Sequence, residues 1–453
     1  MSATSEEGVC KMRVNVYRIA FSTSVLFVVG LIPQALAQTT LAVGSCTTFP
    51  SYPTIQQAVN AAPPSGATIE ICPGVYPEQV VIKTGALTLE GVANSGGQVS
   101  AVIVPPSGGV VANARDFDNN YAPIAAQLLI QSTFLVTIEN LAVDGANNGL
   151  SGCGSDIVGI LFQNASGTVS NVAVRNQTLP PADYGCQDGE GIWVETQSVY
   201  GLISNVTVQN SSVHNYQKNG ITGNDSGTTL TLTSNSVQGW GPTSAIAQNG
   251  IQLCCGATGT ITSNSVIDDV YTGPSYGASG ILLYDTLENS SLSVSSNIIG
   301  NTQLPVVLYT DESFGPKQYG DGVVVESNQI VGALDFDAID ICTNGNKVKS
   351  NTITNSWNSA VHLDSSCSIS GNLTGNNNIA KNNTINESEC AGILVDSGTT
   401  GNTTTPNTFY NVNYNVTNST SSCSFAPSSK TLSMEHRAVS PKGRTHGQAQ
   451  MAP

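Results

Sequence analysis

The sequence predicts an all-β protein: a single right-handed parallel β-helix solenoid closed at its start by a short N-terminal capping helix. Three observations predict it. First, a small residue followed by a β-branched one recurs along the chain. It runs through Gly159-Ile160, Gly191-Ile192, Gly220-Ile221, Gly250-Ile251, Gly280-Ile281, Pro305-Val306, Ala338-Ile339, Ala360-Val361 and Gly392-Ile393, at spacings of 22 to 33 residues. Second, a column of asparagines follows these phrases at Asn171, Asn205, Asn235, Asn264, Asn297, Asn328, Asn351 and Asn383. Third, 40% of the chain is apolar although only 10% is charged, so short Ile/Val/Leu runs can build a core that the polar remainder cannot.

The spacing sets the architecture. One coil of a parallel β-helix takes three short strands and three bends, and apolar-in, variable-out alternation is the strand period of two. Asparagine tolerates the left-handed backbone of a sharp bend, and stacked asparagines bond along the solenoid axis. Each coil buries its apolar side chains against the next. Leucine-rich repeats need a regular leucine phrase, and propellers need four strands per blade; irregular periods of this length fit neither.

The ends follow from the same logic. Arg13 and Arg18 precede an apolar run from Ile19 to Ile32, and Ala35-Leu36-Ala37 is a small-x-small cleavage site. Residues 1–37 therefore read as a signal peptide and the protein as secreted or extracellular. The apolar run is shorter than the about 20 residues that span a bilayer. Met12 is an alternative translation start. The β-helix domain is expected over 38–425. PTIQQAVNAA (53–62) places Ile55, Ala58, Val59 and Ala62 at helical spacing between prolines, which predicts the capping helix. ATIEI (67–71), QVVI (79–82) and ALTLEG (86–91) read as strands. The segment 426–453 loses the repeat, gains basic residues and reads as a disordered tail.

Cysteine usage agrees with export. Cys10 precedes the cleavage site, which leaves an even ten. Neighbours in sequence suggest Cys46–Cys72, Cys153–Cys186, Cys342–Cys367 and Cys390–Cys423, with Cys254–Cys255 as a vicinal pair, although sequence alone does not set connectivity. No cysteine or histidine spacing suggests zinc. The net charge of −16 argues against nucleic acid, whose binding rests on phosphate neutralisation, and against bare polyuronate unless cations bridge the two.

The phrases TIQQAVNAAP, IEICPGVYPEQVVI and LTLEG resemble the opening segment of pectinesterases and other pectin lyase-like β-helix proteins. The resemblance covers about 40 residues and implies the fold; it does not choose a chemistry. The Asn-Thr-Asp, Gly-His-Gly and Arg-Ile-Lys phrases that polygalacturonases share are missing, so the pair Asp268-Asp269 stands without partners. Gly332-Ala333-Leu334-Asp335-Phe336 matches the pectinesterase nucleophile phrase, but the glutamine and Arg-Pro-Trp partners are missing. A lyase needs a basic catalytic residue, and between Gln38 and Cys423 there are only Arg115, Arg175 and six lysines.

The repeat register supplies the candidate site. In each phrase the first and third residues after the small one point inward, and those between point outward. The outward pairs include Trp193/Glu195, Leu282/Tyr284, Val307/Tyr309, Asp340/Cys342, His362/Asp364 and Leu394/Asp396. Adjacent coils lie about 4.8 Å apart, so Asp340 should sit beside His362, with Asp364 on the same face and Asp396 one coil on. Asp340, His362 and Asp364 are the catalytic candidates. Two carboxyls are what glycoside hydrolysis needs, one to donate a proton and one to activate water or attack, and His362 would carry the charge or shuttle the proton. Tyr284, Tyr309 and Asp396 would hold sugar, as would Trp193 and Glu195, which form a second acidic-aromatic patch with Asp188 and Glu190. No cofactor is required; calcium is the one ion the carboxylates suit. The expected partner is a polysaccharide or cell-surface glycan, with no nucleic acid and no stable membrane insertion. The alternative is a non-catalytic extracellular surface or adhesion protein. Oligomeric state is not legible.

Overall fold

Parallel pairing of coil on coil dominates the computed structural model. It describes residues 39–93, 100–117, 122–274, 277–310, 320–365 and 374–418, within the unit Gln38–Pro453. The predicted signal peptide and tail lie outside the described residues, as do Cys10, Cys367 and Cys423.

Each coil contributes to three walls. The first is a 13-stranded sheet that ends in strands such as Val324–Glu326, Lys347–Lys349 and Ile379–Lys381. The other two walls belong to one 23-stranded sheet. The second contains Ala173–Gln177, Ser212–Tyr216 and their equivalents. The third contains Asp156–Gln163, Glu190–Glu195, Asn219–Asn224 and onward to Ser359–Leu363. On the third wall the predicted isoleucine file is continuous. Ile160 pairs with Ile192, then Ile221, Ile251, Ile281, Val306, Ile339, Val361 and Ile393. It also extends upstream through Leu128 to Val80.

The small residue of each phrase is a corner. A Cβ built on Gly159, Gly191, Gly220 or Gly250 would meet a Cγ1 of Val174, Val213, Val237 or Val266 on the second wall at 2.4–2.6 Å. The two walls close on each other there, which only a residue with little or no side chain permits. One apolar core results, running from Leu41 to Ile393.

The helix Ile55–Ala61 covers the first coil with Ile55, Ala58 and Val59 buried. Thr54 is its N-cap and accepts from the Gln57 amide, while the Glu78 carboxylate accepts from the amides of Ile55 and Gln56. These groups satisfy the first orphan donors of the helix. The predicted strands appear as Ala67–Ile71, Val80–Ile82 and Leu87–Gly91.

The asparagine column is real, but its membership and job differ from expectation. Asn235, Asn264, Asn297, Asn328, Asn351, Asn383 and Asn407 form a buried amide ladder in which each Nδ2 donates to the next Oδ1 at 2.9–3.0 Å. The same Oδ1 takes the backbone N–H of the asparagine before it. These asparagines do not adopt the left-handed backbone. The preceding residue does, at Ser234, Ser263, Ser296, Ser327 and Ser350, with φ of 57–58°. Asn171 occupies that bend position instead, with φ of 53°, and Asn205 lies exposed on the strand Ser204–Gln209. Neither belongs to the ladder, which starts at Ser211.

Replacing Asn297 by Ala orphans the amides of Asn264 and the carbonyl of Ile261 inside the protein, at about 1–3 kcal/mol for each group left unsatisfied. The urea midpoint should fall clearly. Asn205→Ala should shift stability by less than about 0.5 kcal/mol. Equal midpoints for the two variants would contradict the ladder's role.

Candidate active site

The outer face of the third wall carries two groups of ionisable side chains. The first is the one the register predicts. Asp340 pairs directly with His362 on the neighbouring strand. His362 is fully buried and sits among four carboxylates. Its Nδ1 lies 3.0 Å from Asp337, 3.7 Å from Asp340 and 3.9 Å from Asp364, and its Nε2 lies 3.0 Å from Asp396. Burial pushes the imidazole down, but the charges of Asp337 and Asp364 and the hydrogen bonds to Asp337 and Asp396 outweigh it, so its pKa stands well above the usual range. Burial pushes Asp396 up, yet its hydrogen bond to His362, the imidazolium charge and the Ser365 amide hold it far below the usual carboxylate range. Asp337 is fixed by the Ser359 amide, the Ser359 hydroxyl and Asn358.

Asp337 was not among the predicted residues. It precedes its small residue, Ala338, and the register reading counted only positions after that residue. The turn at the corner makes the residue before it point outward too. In the same file stand Val158, Glu190, Asn219 and Asn249, and including this file would have found both Asp337 and Glu190.

Metal ligation at this group is constrained. Three overlapping sets, Asp337–Asp340–His362, Asp340–Cys342–Asp364 and His362–Asp364–Asp396, each bring their ligand atoms within 4.8 Å of one another, and carboxylates of the kind that suit calcium dominate them. Yet an imidazolium has no lone pair for a cation, and Cys342 is disulfide-bonded.

Other predicted residues are distributed differently. Tyr284 and Tyr309 do stack, with ring centroids 5.4 Å apart, but both are 5% exposed and pack with Cys254, Cys255, Leu282 and Cys342. They form an outer apolar layer rather than an open sugar platform. Glu195 is buried and accepts from the side chain of Gln163. Asp268 and Asp269 point to opposite sides: Asp268 accepts from Gln238 and Asn301 on the surface, while Asp269 accepts from the Tyr216 hydroxyl in the core. Three disulfides form as expected, Cys46–Cys72, Cys153–Cys186 and Cys254–Cys255. Cys342 and Cys390 are also disulfide-bonded, to partners outside the described residues.

The second group lines a cavity of about 250 Å³ at the upstream end of the same wall. Glu190 and Trp193 rise from one strand, Asn219, Thr222 and Asn224 from the next. Asp188 and Lys218 come from the connections between the second and third walls, Asp156 opens the third-wall strand Asp156–Gln163, and Cys153–Cys186 staples two of these connections. Thr222 donates to Glu190 at 2.7 Å and Asn219 at 3.3 Å, while Asn249 supports Asn219 at 3.0 Å. Burial lifts Glu190 to about 7 despite those donors, and lifts Asp188 to about 6. Burial, then the charges of Glu190 and Asp188, raise Asp156 well above its usual range. Burial lowers Lys218 to about 8, against the opposing pull of Glu190. Its ammonium donates to the Ala247 carbonyl at 2.8 Å.

Polar atoms in this cavity lack protein partners. Among the described residues, Trp193 Nε1, Asn224 Oδ1 and Asp188 Oδ2 find no hydrogen-bond partner, and Trp193 and Asn224 are only 4% and 5% exposed. Buried polar atoms are normally satisfied, so three unsatisfied ones around one cavity mark a place built for a polar guest. Of these residues only Trp193 is a predicted contact; Asp188 and Glu190 are its acidic neighbours in sequence, Asn224 stands at an outward register position with no role assigned to it, and Asp156 and Lys218 carry no periodic signal.

Comparison with known proteins defines the class. No protein-family model and no curated protein matches the chain. Solved structures do. The Agl-KA catalytic domain aligns over 80% of this chain and 64% of its own, at 16% identity and a TM-score of 0.51. The GH136 lacto-N-biosidase from Eubacterium ramulus aligns over 84% of this chain and 67% of its own, at 10% identity and a TM-score of 0.50. The Streptococcus pneumoniae surface adhesin PfbA aligns over 80% and 94%, at 14% identity and a TM-score of 0.41. The chain is a right-handed parallel β-helix protein; at these identities the likeness concerns the fold.

The His362 group yields a pH prediction. His362 has a folded pKa above its unfolded value near 6.5, so its stabilisation is complete below about pH 6.5 and is lost as pH rises through the folded pKa. The melting-temperature gap between wild type and His362→Asn should be widest near pH 6 and narrow in alkali. A gap that widens with pH would show that the ring is neutral in the fold.

Proposed function

We propose that the protein is a secreted, polysaccharide-active β-helix, and that it is a glycoside hydrolase acting at the Asp156–Asp188–Glu190 cavity. One observation carries this reading: two carboxyls with affinities near neutrality share a cavity with buried polar atoms that have no partner. Pairs of titratable groups pushed to different pKa values are how acid and base roles divide. Glu190, the higher of the two, is the acid that protonates the leaving glycosidic oxygen. Asp188, ionised at lower pH, takes a proton from water as the water oxygen bonds the anomeric carbon. The C–O bond breaks, and the proton lost by Glu190 equals the one gained by Asp188.

Hydrolysis at Asp340, His362 and Asp364 has less support. Both ring nitrogens of His362 are engaged by carboxylates at 3.0 Å, so no proton on the ring is poised for transfer to a guest. Secretion is supported by the disulfides, which persist in oxidising compartments.

Release of reducing ends from a panel of plant and microbial polysaccharides, measured with and without calcium, tests the proposal. Activity should follow a narrow bell whose limbs lie near about pH 6 and about pH 7. Glu190→Gln and Asp188→Asn should each lower kcat by about 10²–10⁴. If Asp340→Asn abolished turnover and Glu190→Gln did not, the site would belong at His362. Binding of every glycan without turnover would favour the non-catalytic reading.

A further inference from the structure

We infer that the cavity is a single-ring subsite that takes one uncharged sugar unit from a chain end and rejects uronates. The inference rests on the choice of cavity made above and adds the substrate class and the mode of attack.

Size comes first. At about 250 Å³ the space falls below the about 300–1,000 Å³ of pockets that enclose drug-sized ligands. It suits one ring and not a run of them. Connections from two coils line it at the Cys153–Cys186 bridge. The Cys153–Cys186 bridge joins the connections of two successive coils, and the Gly152 amide donates to Asp183 across the same gap at 2.8 Å. A polymer lying along the coils would have to cross this staple, whereas a chain end would not.

The polarity of the free atoms chooses the sugar. Two of the three are acceptors, Asn224 Oδ1 and Asp188 Oδ2, and one is a donor, Trp193 Nε1. A hydroxyl both donates and accepts, so ring hydroxyls can satisfy all three; the carboxylate that a uronate carries in place of one hydroxymethyl group only accepts, and has nothing to offer the two acceptors. Charge points the same way. Among the described residues Asp116, Asp156, Asp188 and Glu190 line the space, and no arginine does. The one lysine, Lys218, already donates to Ala247. A uronate would enter an acidic cavity with no fork of donors to receive it. The acidic lining thus agrees with the net charge of the chain, which already argues against bare polyuronate.

Two measurements on the full-length protein test the inference separately from the hydrolase reading. Isothermal titration with neutral monosaccharides, N-acetylated ones included, should show saturable binding to wild type. Galacturonic and glucuronic acids should bind at least about ten-fold more weakly, and Trp193→Phe should weaken the neutral ligand about ten-fold, the worth of one hydrogen bond. Uronic acids binding as well as neutral sugars, or no monosaccharide binding at all, would overturn the inference. The second measurement follows end-labelled neutral oligosaccharides by chromatography. Shortening by one ring at a time is expected, and early internal fragments would overturn the chain-end mode. Intact monosaccharide binding with no cleavage of any oligosaccharide would sink the hydrolase reading alone and leave the subsite standing.

Discussion

Parallel, in-register pairing of successive coils is the constraint on which every other feature depends. It sets residues about thirty positions apart in sequence side by side, and it holds only if no coil slips. A slip of one residue would turn every inward side chain outward. Two devices oppose slippage here. The corner residue admits nothing larger than a small side chain against the second wall, and the asparagine ladder engages both the side chain and the backbone of the next member. An asparagine one position out of register would leave several buried amides without acceptors at once. Polar composition, which in an unpatterned chain would favour disorder, here locks the register.

The same wall then produces opposite electrostatics at its two ends. At His362 a buried cation meets carboxylates at hydrogen-bond distance on both ring nitrogens. The ring keeps its proton, Asp396 gives its own up readily, and the group is a closed ionic knot. At Glu190 the available cation turns away to a backbone carbonyl. Desolvation is left without full compensation, so Glu190 and Asp188 hold protons to unusually high pH. Both clusters are acidic, and Glu190 and His362 are both buried. What separates them is where the positive charge is aimed, and that decides which can exchange protons with a guest.

Much of this was legible before any coordinates. The isoleucine file, the capping helix and the Asp340–His362 stack follow from period, turn chemistry and spacing, and three of the cysteine pairs that neighbourhood in sequence suggests also form. The misreadings share a cause. Asn171 and Asn205 were assigned to the ladder because a coarse column cannot separate a bend residue from the one after it. Tyr284 and Tyr309 read as sugar-facing because alternation reports a direction and not what packs there; both belong to an outer apolar layer. Asp337 and Glu190 were left out of the register because the strict period of two breaks at the corner, where two neighbouring residues on one strand can no longer point to opposite faces.

The cavity escaped periodic reasoning for a deeper reason. A repeat is visible where coils are alike, and a solenoid of identical coils presents a nearly flat wall. Depth has to come from chain that departs from the repeat. Here the departures are the connections 145–155 and 178–189 between the second and third walls, and they supply Asp188 and the Cys153–Cys186 staple. The regular strands beneath contribute Glu190, Trp193 and Asn224 at fixed spacing. Chemistry in such a fold arises where rigid repeated positions meet irregular connectors, because the first fixes the geometry and the second excludes water. The 22-residue interval between Ala338 and Ala360 left little room for inserted chain. That made the Asp340–His362 stack the easiest neighbourhood to infer, and for the same reason its strands say little about where a guest would bind.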